Sequence, residues 1–360
     1  MRLCKYLEGF LMLKKLKKQI RDFTHNIVYY GIDSFYRANR STCFDNVKLA
    51  SSKLPRISFD YDDVERNPLL VNKYTPVINT NERKKYYMDN YGLMDYHINF
   101  FNKLTSCINL SDKVVLEIGG SNYPVELVIQ ESGAKKWVCV DKPWIYNLQA
   151  KDAHFKKISI FNFGEITLDN ALNDNDFVLF NNYAENITED FFDKFDICVS
   201  NCAFEHIRML PVVLDMIFHS LKKEGILFTE FAPFWSNICG NHLWINDEQC
   251  SINLTHNNYP DELHHAHLLM GYAEAYKYLE KNYGTNAAKK YTFHFKNPDH
   301  MNNLFYEDYI FLMHQTVFER KSVSPQYCYN VKDEIMKALQ IMYPGYRAFD
   351  VGGVVLQAIK

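Results

Sequence analysis

Between residues 113 and 231 the chain repeats one pattern, a short unbroken apolar run followed by a longer stretch with helical spacing. The runs are KVVLEI (113–118), WVCV (137–140), FVLF (177–180), FDICVS (195–200) and ILFTEF (226–231). They are short for helices and lack the alternation of a strand with one wet face, so they read as strands buried on both sides. Such strands need helices above and below them. Residues 125–132 read as a helix stopped by Gly133, and residues 210–223 as one with Pro211 in its first turn and Gly225 at its stop. Strands alternating with helices imply right-handed crossovers and the α/β class: a doubly wound, mostly parallel sheet.

The rest of the chain fits around that unit. Residues 83–107 read as one helix; 302–315 and 332–342 read as helices, and 317–323 and 352–359 as strands, which brings the sheet to seven. Residues 1–85 form an N-terminal extension, 86–360 the main domain, and 232–300 an insertion over the sheet's carboxyl edge. In the extension, Leu3, Leu7, Phe10, Leu13, Leu16, Ile20 and Phe23 recur at helical spacing beside Lys14, Lys15, Lys17, Lys18 and Arg21. Two readings stand: an amphipathic helix packed on the main domain, or a peripheral contact with an anionic membrane surface.

Composition excludes some classes. A net charge of −3 argues against a general nucleic-acid binder, which needs a basic face to neutralise phosphates. Nine dispersed cysteines without zinc spacing point to a reduced, cytoplasmic protein. No apolar stretch approaches the roughly 20 residues of a membrane span. With 47% hydrophobic residues, a full core needs neither disulfides nor a metal.

In open parallel sheets ligands sit beyond the carboxyl ends of the strands, where the strand order reverses. The first strand there runs into Glu117-Ile118-Gly119-Gly120-Ser121-Asn122. Glycine permits a tight turn and a close backbone approach, and the helix that follows aims its free N–H groups at a ligand. The second strand ends at Asp141, followed by Lys142. A carboxylate there can accept hydrogen bonds from both hydroxyls of a ribose, which fits NAD as well as any other adenosine cofactor.

Four segments in order, VLEIGGSNYP, VCVDKP, FDICVSNCAFEHI and SLKKEGILFTEF, resemble the class I S-adenosylmethionine-dependent methyltransferase family. The resemblance spans about residues 85–235 and the C-terminal strand. It implies a Rossmann-like methyltransferase fold and S-adenosyl-L-methionine as cofactor. It also implies roles for residues. Glu117, Gly119, Gly120 and Ser121 would lie at the amino-acid end, Asp141 and Lys142 at the ribose, Tyr183 and Ala184 beside the adenine, and Ser200 and Asn201 near the methionine portion. Ser121 and Tyr123 replace the second and third motif glycines, and Tyr183 stands where an acid is usual.

On the acceptor side, TEFAPFWSNICGNHLW places His242 between Trp235 and Trp244. A neutral imidazole suits proton removal near neutral pH, and indole faces suit sugar rings. The stretch resembles "P-x-W-S-x-x-x-G-x-H" in methyltransferases of bacterial surface-glycan gene sets, with His267 matching a later "HL" element. That implies an O-methyltransferase acting on a glycan, sugar nucleotide or related small molecule. His242 and His206 are the catalytic candidates, and Trp235, Trp244 and His267 the substrate-binding ones. Other small-molecule, lipid-linked or protein acceptors remain open, as does a non-catalytic scaffold. His264, His265 and His267 invite a metal reading, but they match no zinc spacing, so no metal is expected.

Overall fold

The computed structural model describes residues 61–120, 123–141, 158–240, 261–270, 272–296 and 301–360. The chain divides into two compact units, 1–57 with 337–345 and 58–336 with 346–360. The second unit carries the sheet, and the basic helix expected before residue 40 lies outside the described residues.

The second unit begins with a strap. Residues 61–70 run beside the C-terminal strands, where the Leu69 and Leu70 N–H groups donate to Gln357 Oε1 at 2.7 and 3.1 Å. Two helices follow, α1 (Asn81–Tyr91) and α2 (Asp95–Cys107). The single helix expected over 83–107 is broken because Gly92 takes φ +67° and its N–H caps α1 on Met88 O. Left-handed backbone is cheap for glycine and ends a helix.

The sheet contains β1 (Val114–Ile118), β2 (Lys136–Asp141), β3 (Ser159–Phe161), β4 (Phe177–Asn181), β5 (Phe195–Asn201), β6 (Leu221–Phe231), β7 (Arg320–Cys328) and β8 (Val351–Ile359). Their order is β3-β4-β2-β1-β5-β6-β8-β7. All neighbours are parallel except β8, which runs antiparallel to both β6 and β7. This is the doubly wound, mostly parallel sheet that the sequence implies, with one strand more than the seven expected. The extra strand, β3, is three half-buried residues on the edge, too short to show a period.

Side-chain alternation divides the core in two. Val115, Trp137, Cys139, Leu179, Val199, Phe228 and Val355 face α1, α2 and the short π-type helix Glu126–Glu131. Leu116, Ile118, Val138, Val140, Phe180, Leu227 and Leu356 face the other way, toward α3 (Leu168–Asn173), α4 (Leu210–Ser220) and, after the insertion, the helix Tyr306–Gln315. Helices on both faces are what continuous apolar strands require. The α4 helix stops at Ser220, earlier than expected, because buried Leu221 already pairs with Phe195 and opens β6.

Within 232–300, α5 (Ala266–Leu269), α6 (Tyr272–Tyr283) and α7 (Thr285–Lys296) are described. Ile238, Leu263, Leu279 and Tyr291 form an apolar cluster separate from the two sheet cores. Then come α8 (Tyr306–Gln315), β7, α9 (Asp333–Met342) and β8.

Candidate functional site

Strand order reverses between β1 and β5, since the chain leaves β1 toward β2 on one side and returns to β5 on the other. The crevice for a ligand lies outside the carboxyl ends of these two strands. Ser200, wholly buried, donates its hydroxyl to Ile118 O at 2.8 Å and ties the two strand ends together. Gly119 follows at φ +66°, with its N–H on Val140 O at 2.9 Å. A Cβ there would collide with the Ala203 methyl, and one on Gly120 would collide with the Glu117 carboxylate. Both glycines are therefore demanded by the close approach of these two side chains to the turn.

Glu117 is 1% exposed. Its Oε2 accepts from Trp137 Nε1 at 2.6 Å and from Cys139 Sγ at 3.1 Å. Held by these two bonds, the Glu117 carboxyl sits beneath Gly120 and supports the turn. Asp141 ends β2, buried and in register with Asn181 of β4. Tyr183, in the loop after β4, is 45% exposed, and Ala184 beside it is buried. Asn201 donates through Nδ2 to the Tyr123 hydroxyl at 3.1 Å. Gly119, Gly120, Asp141, Tyr183, Ala184, Ser200 and Asn201 thus gather along one sheet edge. Ser121 and Lys142 lie outside the described residues.

Tyr123, in place of a motif glycine, does not enter the crevice. Its ring is 1% exposed and packs on Phe101 (centroids 5.1 Å) and Trp137 (6.5 Å). The turn tolerates the tyrosine because the side chain is swallowed by the α2 face of the core.

The acceptor-side residues separate into distinct surroundings. Trp235 is buried; its carbonyl is 2.6 Å from His267 Nε2, and the two rings meet edge to face at 4.8 Å. His265, at φ +56°, places Nε2 2.9 Å from Phe349 O, and burial pushes its pKa down to about 4. His264 lies 3.8 Å from Asp261. The three histidines of the H-H-x-H stretch therefore engage three different partners. His206 is half-buried, with Nε2 3.9 Å from the Glu205 carboxylate. His242 and Trp244 lie outside the described residues.

One polar group escaped the sequence reading. Glu230, at the end of β6 and paired in register with Asn201, accepts from Lys103 Nζ of α2 at 2.7 Å and from the Tyr327 hydroxyl at 2.9 Å. Its signal in the sequence is Gly352-Gly353: paired glycines inside a strand mark a close approach by another group.

No family model matches the chain, and no curated protein sequence matches it. Solved structures with a similar chain course include S-adenosylmethionine-dependent methyltransferases from Archaeoglobus fulgidus and from Mesorhizobium loti. The first is 12% identical with TM-score 0.38, covering 77% of this chain and 99% of its own. The second is 9% identical with TM-score 0.39, covering 70% and 93%. A third is phosphoethanolamine N-methyltransferase 2 of Haemonchus contortus, in complex with S-adenosyl-L-methionine. It is 12% identical with TM-score 0.36, covering 80% of this chain and 54% of its own. Likeness at this level adds nothing to what the strand order and the crevice show by themselves.

Proposed function

We propose that this protein is an S-adenosylmethionine-dependent O-methyltransferase acting on a hydroxyl of a glycan, sugar nucleotide or related small molecule. The observation that carries the cofactor reading is the turn after β1. Gly119 and Gly120 are both stripped of side-chain space by Ala203 and Glu117, at the switch point and one strand from Asp141. A glycine turn at the switch point, with a carboxylate at the end of the neighbouring strand, fits an adenosine cofactor. The four sequence segments that resemble methyltransferases favour S-adenosylmethionine over NAD.

In this reading the Gly119–Gly120 backbone and Ser121 hold the amino-acid end, with Glu117 keeping the turn in shape from below. Asp141 accepts from the ribose hydroxyls, Lys142 stands beside it, and Tyr183 and Ala184 flank the adenine. Ser200 and Asn201 close the methionine side. When bound, the cofactor supplies a methyl group already activated on sulfonium, so the protein's main task is alignment of donor and acceptor. An alcohol also needs a base, for which His242 and His206 are the candidates. Trp235, Trp244 and His267 would form the acceptor wall, with Trp235 and His267 locked to each other as its inner layer. We place the protein in the cytoplasm on its dispersed cysteines; a peripheral membrane contact would rest on residues 1–40. Among the described residues no helix is long and apolar enough to cross a membrane.

A thermal-shift titration with S-adenosylhomocysteine tests the reading. Saturation at about 100-fold over Kd adds roughly 2.7 kcal/mol of stability, a clear rise in Tm. No rise at millimolar ligand would sink the enzyme reading in favour of a scaffold. Label transfer from methyl-labelled cofactor to a panel of saccharides and amines would then separate the acceptor classes.

A further inference from the structure

Tyr327 reaches Glu230 across an intervening strand. β8 separates β6 from β7, and a side chain on β8 facing α2 would block the path. Gly353, which shares the α2 face with Val355, leaves it open. A Cβ on Gly353 would lie 2.8 Å from Tyr327 Cδ2, and one on Gly352 would collide with the Tyr327 carbonyl and the Tyr329 ring. Tyr327 itself takes φ +52°, which turns its side chain over the gap. A non-glycine residue in left-handed backbone is held there by its surroundings and is enriched at functional sites.

The pair sits on the edge that holds the crevice. β7 runs parallel to β6, so its end at Tyr327 shares that edge. Glu230 is the register partner of Asn201, one strand outward from the switch point, and the Cys202 N–H donates to the Glu230 carbonyl at 2.9 Å. Glu230 is 6% exposed and Tyr327 is 53% exposed. The buried carboxylate is the anchor, and the phenol is the part a ligand can meet.

The hydrogen bonds set what that phenol can do. Lys103 and Tyr327 occupy the two different carboxylate oxygens of Glu230. The phenol's proton is therefore committed to Glu230, and burial together with that carboxylate keeps it protonated far above its usual range. What remains on the phenol oxygen is acceptor capacity. A methyl acceptor must turn a lone pair toward the sulfonium and point its own hydrogen elsewhere. A hydroxyl or neutral amine does both, and Tyr327 can receive that hydrogen.

We propose that Tyr327 is an acceptor-binding residue, taking a hydrogen bond from the hydroxyl or amino group to be methylated, and that Glu230 is the positioning residue that aims it. This rests on the cofactor reading above. Neither residue belongs to the Trp235–His242–Trp244 stretch, so the acceptor is held from the β7 side as well.

Binding by the full-length protein tests this without knowledge of the acceptor. Sinefungin carries a protonated amine where the transferable methyl would be, so it probes the acceptor position; S-adenosylhomocysteine does not. In isothermal titration, Tyr327→Phe should bind S-adenosylhomocysteine within about twofold of wild type and lose about tenfold in sinefungin affinity. Glu230→Gln, which still offers the phenol an acceptor, should lose a smaller factor for sinefungin alone. The Phe variant keeps the ring over the glycine pair, and an unchanged Tm checks that the fold is intact. Unchanged sinefungin affinity in Tyr327→Phe, or equal loss of both ligands, overturns the proposal while leaving the cofactor reading standing. Failure of the wild type to bind S-adenosylhomocysteine overturns both.

Discussion

The Tyr123 hydroxyl stands between Asn201 and α2: it accepts from Asn201 Nδ2 at 3.1 Å and donates to the His97 carbonyl at 3.1 Å. One phenol thereby joins the end of β5 to the first turn of α2, directly beneath the proposed cofactor crevice. Tyr123→Phe keeps the ring packing but leaves a buried amide donor and a carbonyl without this partner. It should cost about 1–3 kcal/mol by urea denaturation. Tyr123→Gly, which restores the usual motif residue, should cost more, about 3–5 kcal/mol, because it empties a core site. A glycine variant as stable as wild type would mean that the ring is not needed under this turn.

Glu117 and Gly120 should prove coupled. A methyl on Gly120 must displace a carboxylate that is itself pinned by Trp137 and Cys139. Gly120→Ala is therefore expected to destabilise by about 1–3 kcal/mol, as overpacking does. In a Glu117→Ala background the added methyl meets no carboxylate, and the same substitution should cost far less. A double-mutant cycle in urea should give an interaction energy of about 1 kcal/mol or more; strict additivity would contradict the close approach.

Asp141→Ala should weaken S-adenosylhomocysteine binding by about 1–3 kcal/mol, the loss expected when a charged acceptor is removed. Titration calorimetry reads it directly. Unchanged affinity would remove Asp141 from the ribose site and with it the register of β2 against the cofactor.

The sheet was legible because strands buried on both faces must be continuously apolar, and five such runs fell in order. The position of the switch point was legible because the order of the strands places the turn after β1 and the end of β2 on one sheet edge. What the sequence hid has physical reasons. β3 is too short for a period. The break at Gly92 is a single residue inside an otherwise helical stretch. Tyr123 at a glycine position looks disruptive until its ring is seen to turn into the core. Glu230, Lys103 and Tyr327 are brought together from β6, α2 and β7, up to 224 residues apart, and only Gly352-Gly353 hinted at the crossing. The histidines around residue 265 are adjacent in sequence, but His264, His265 and His267 meet Asp261, Phe349 and Trp235 respectively, which spacing alone does not reveal.

Two buried histidines, His97 of α2 and His265, should make the fold acid-sensitive. Burial pushes the pKa of His97 and of His265 down to about 4, from 6.5 in the unfolded chain. His97 Nδ1 accepts from the Met94 N–H at 3.0 Å, a bond that protonation of that nitrogen would abolish. Between pH 6.5 and 4 the unfolded state binds protons that the folded state refuses, so stability rises with pH in this window and is lost as pH falls through it. Each histidine can contribute at most about 3 kcal/mol to this loss. The urea midpoint should therefore drop steeply from pH 7 to pH 5. His97→Asn, which can still accept from Met94 but does not titrate, should flatten that drop relative to its own value at pH 7. An equally steep fall in the variant would assign the acid sensitivity to other groups.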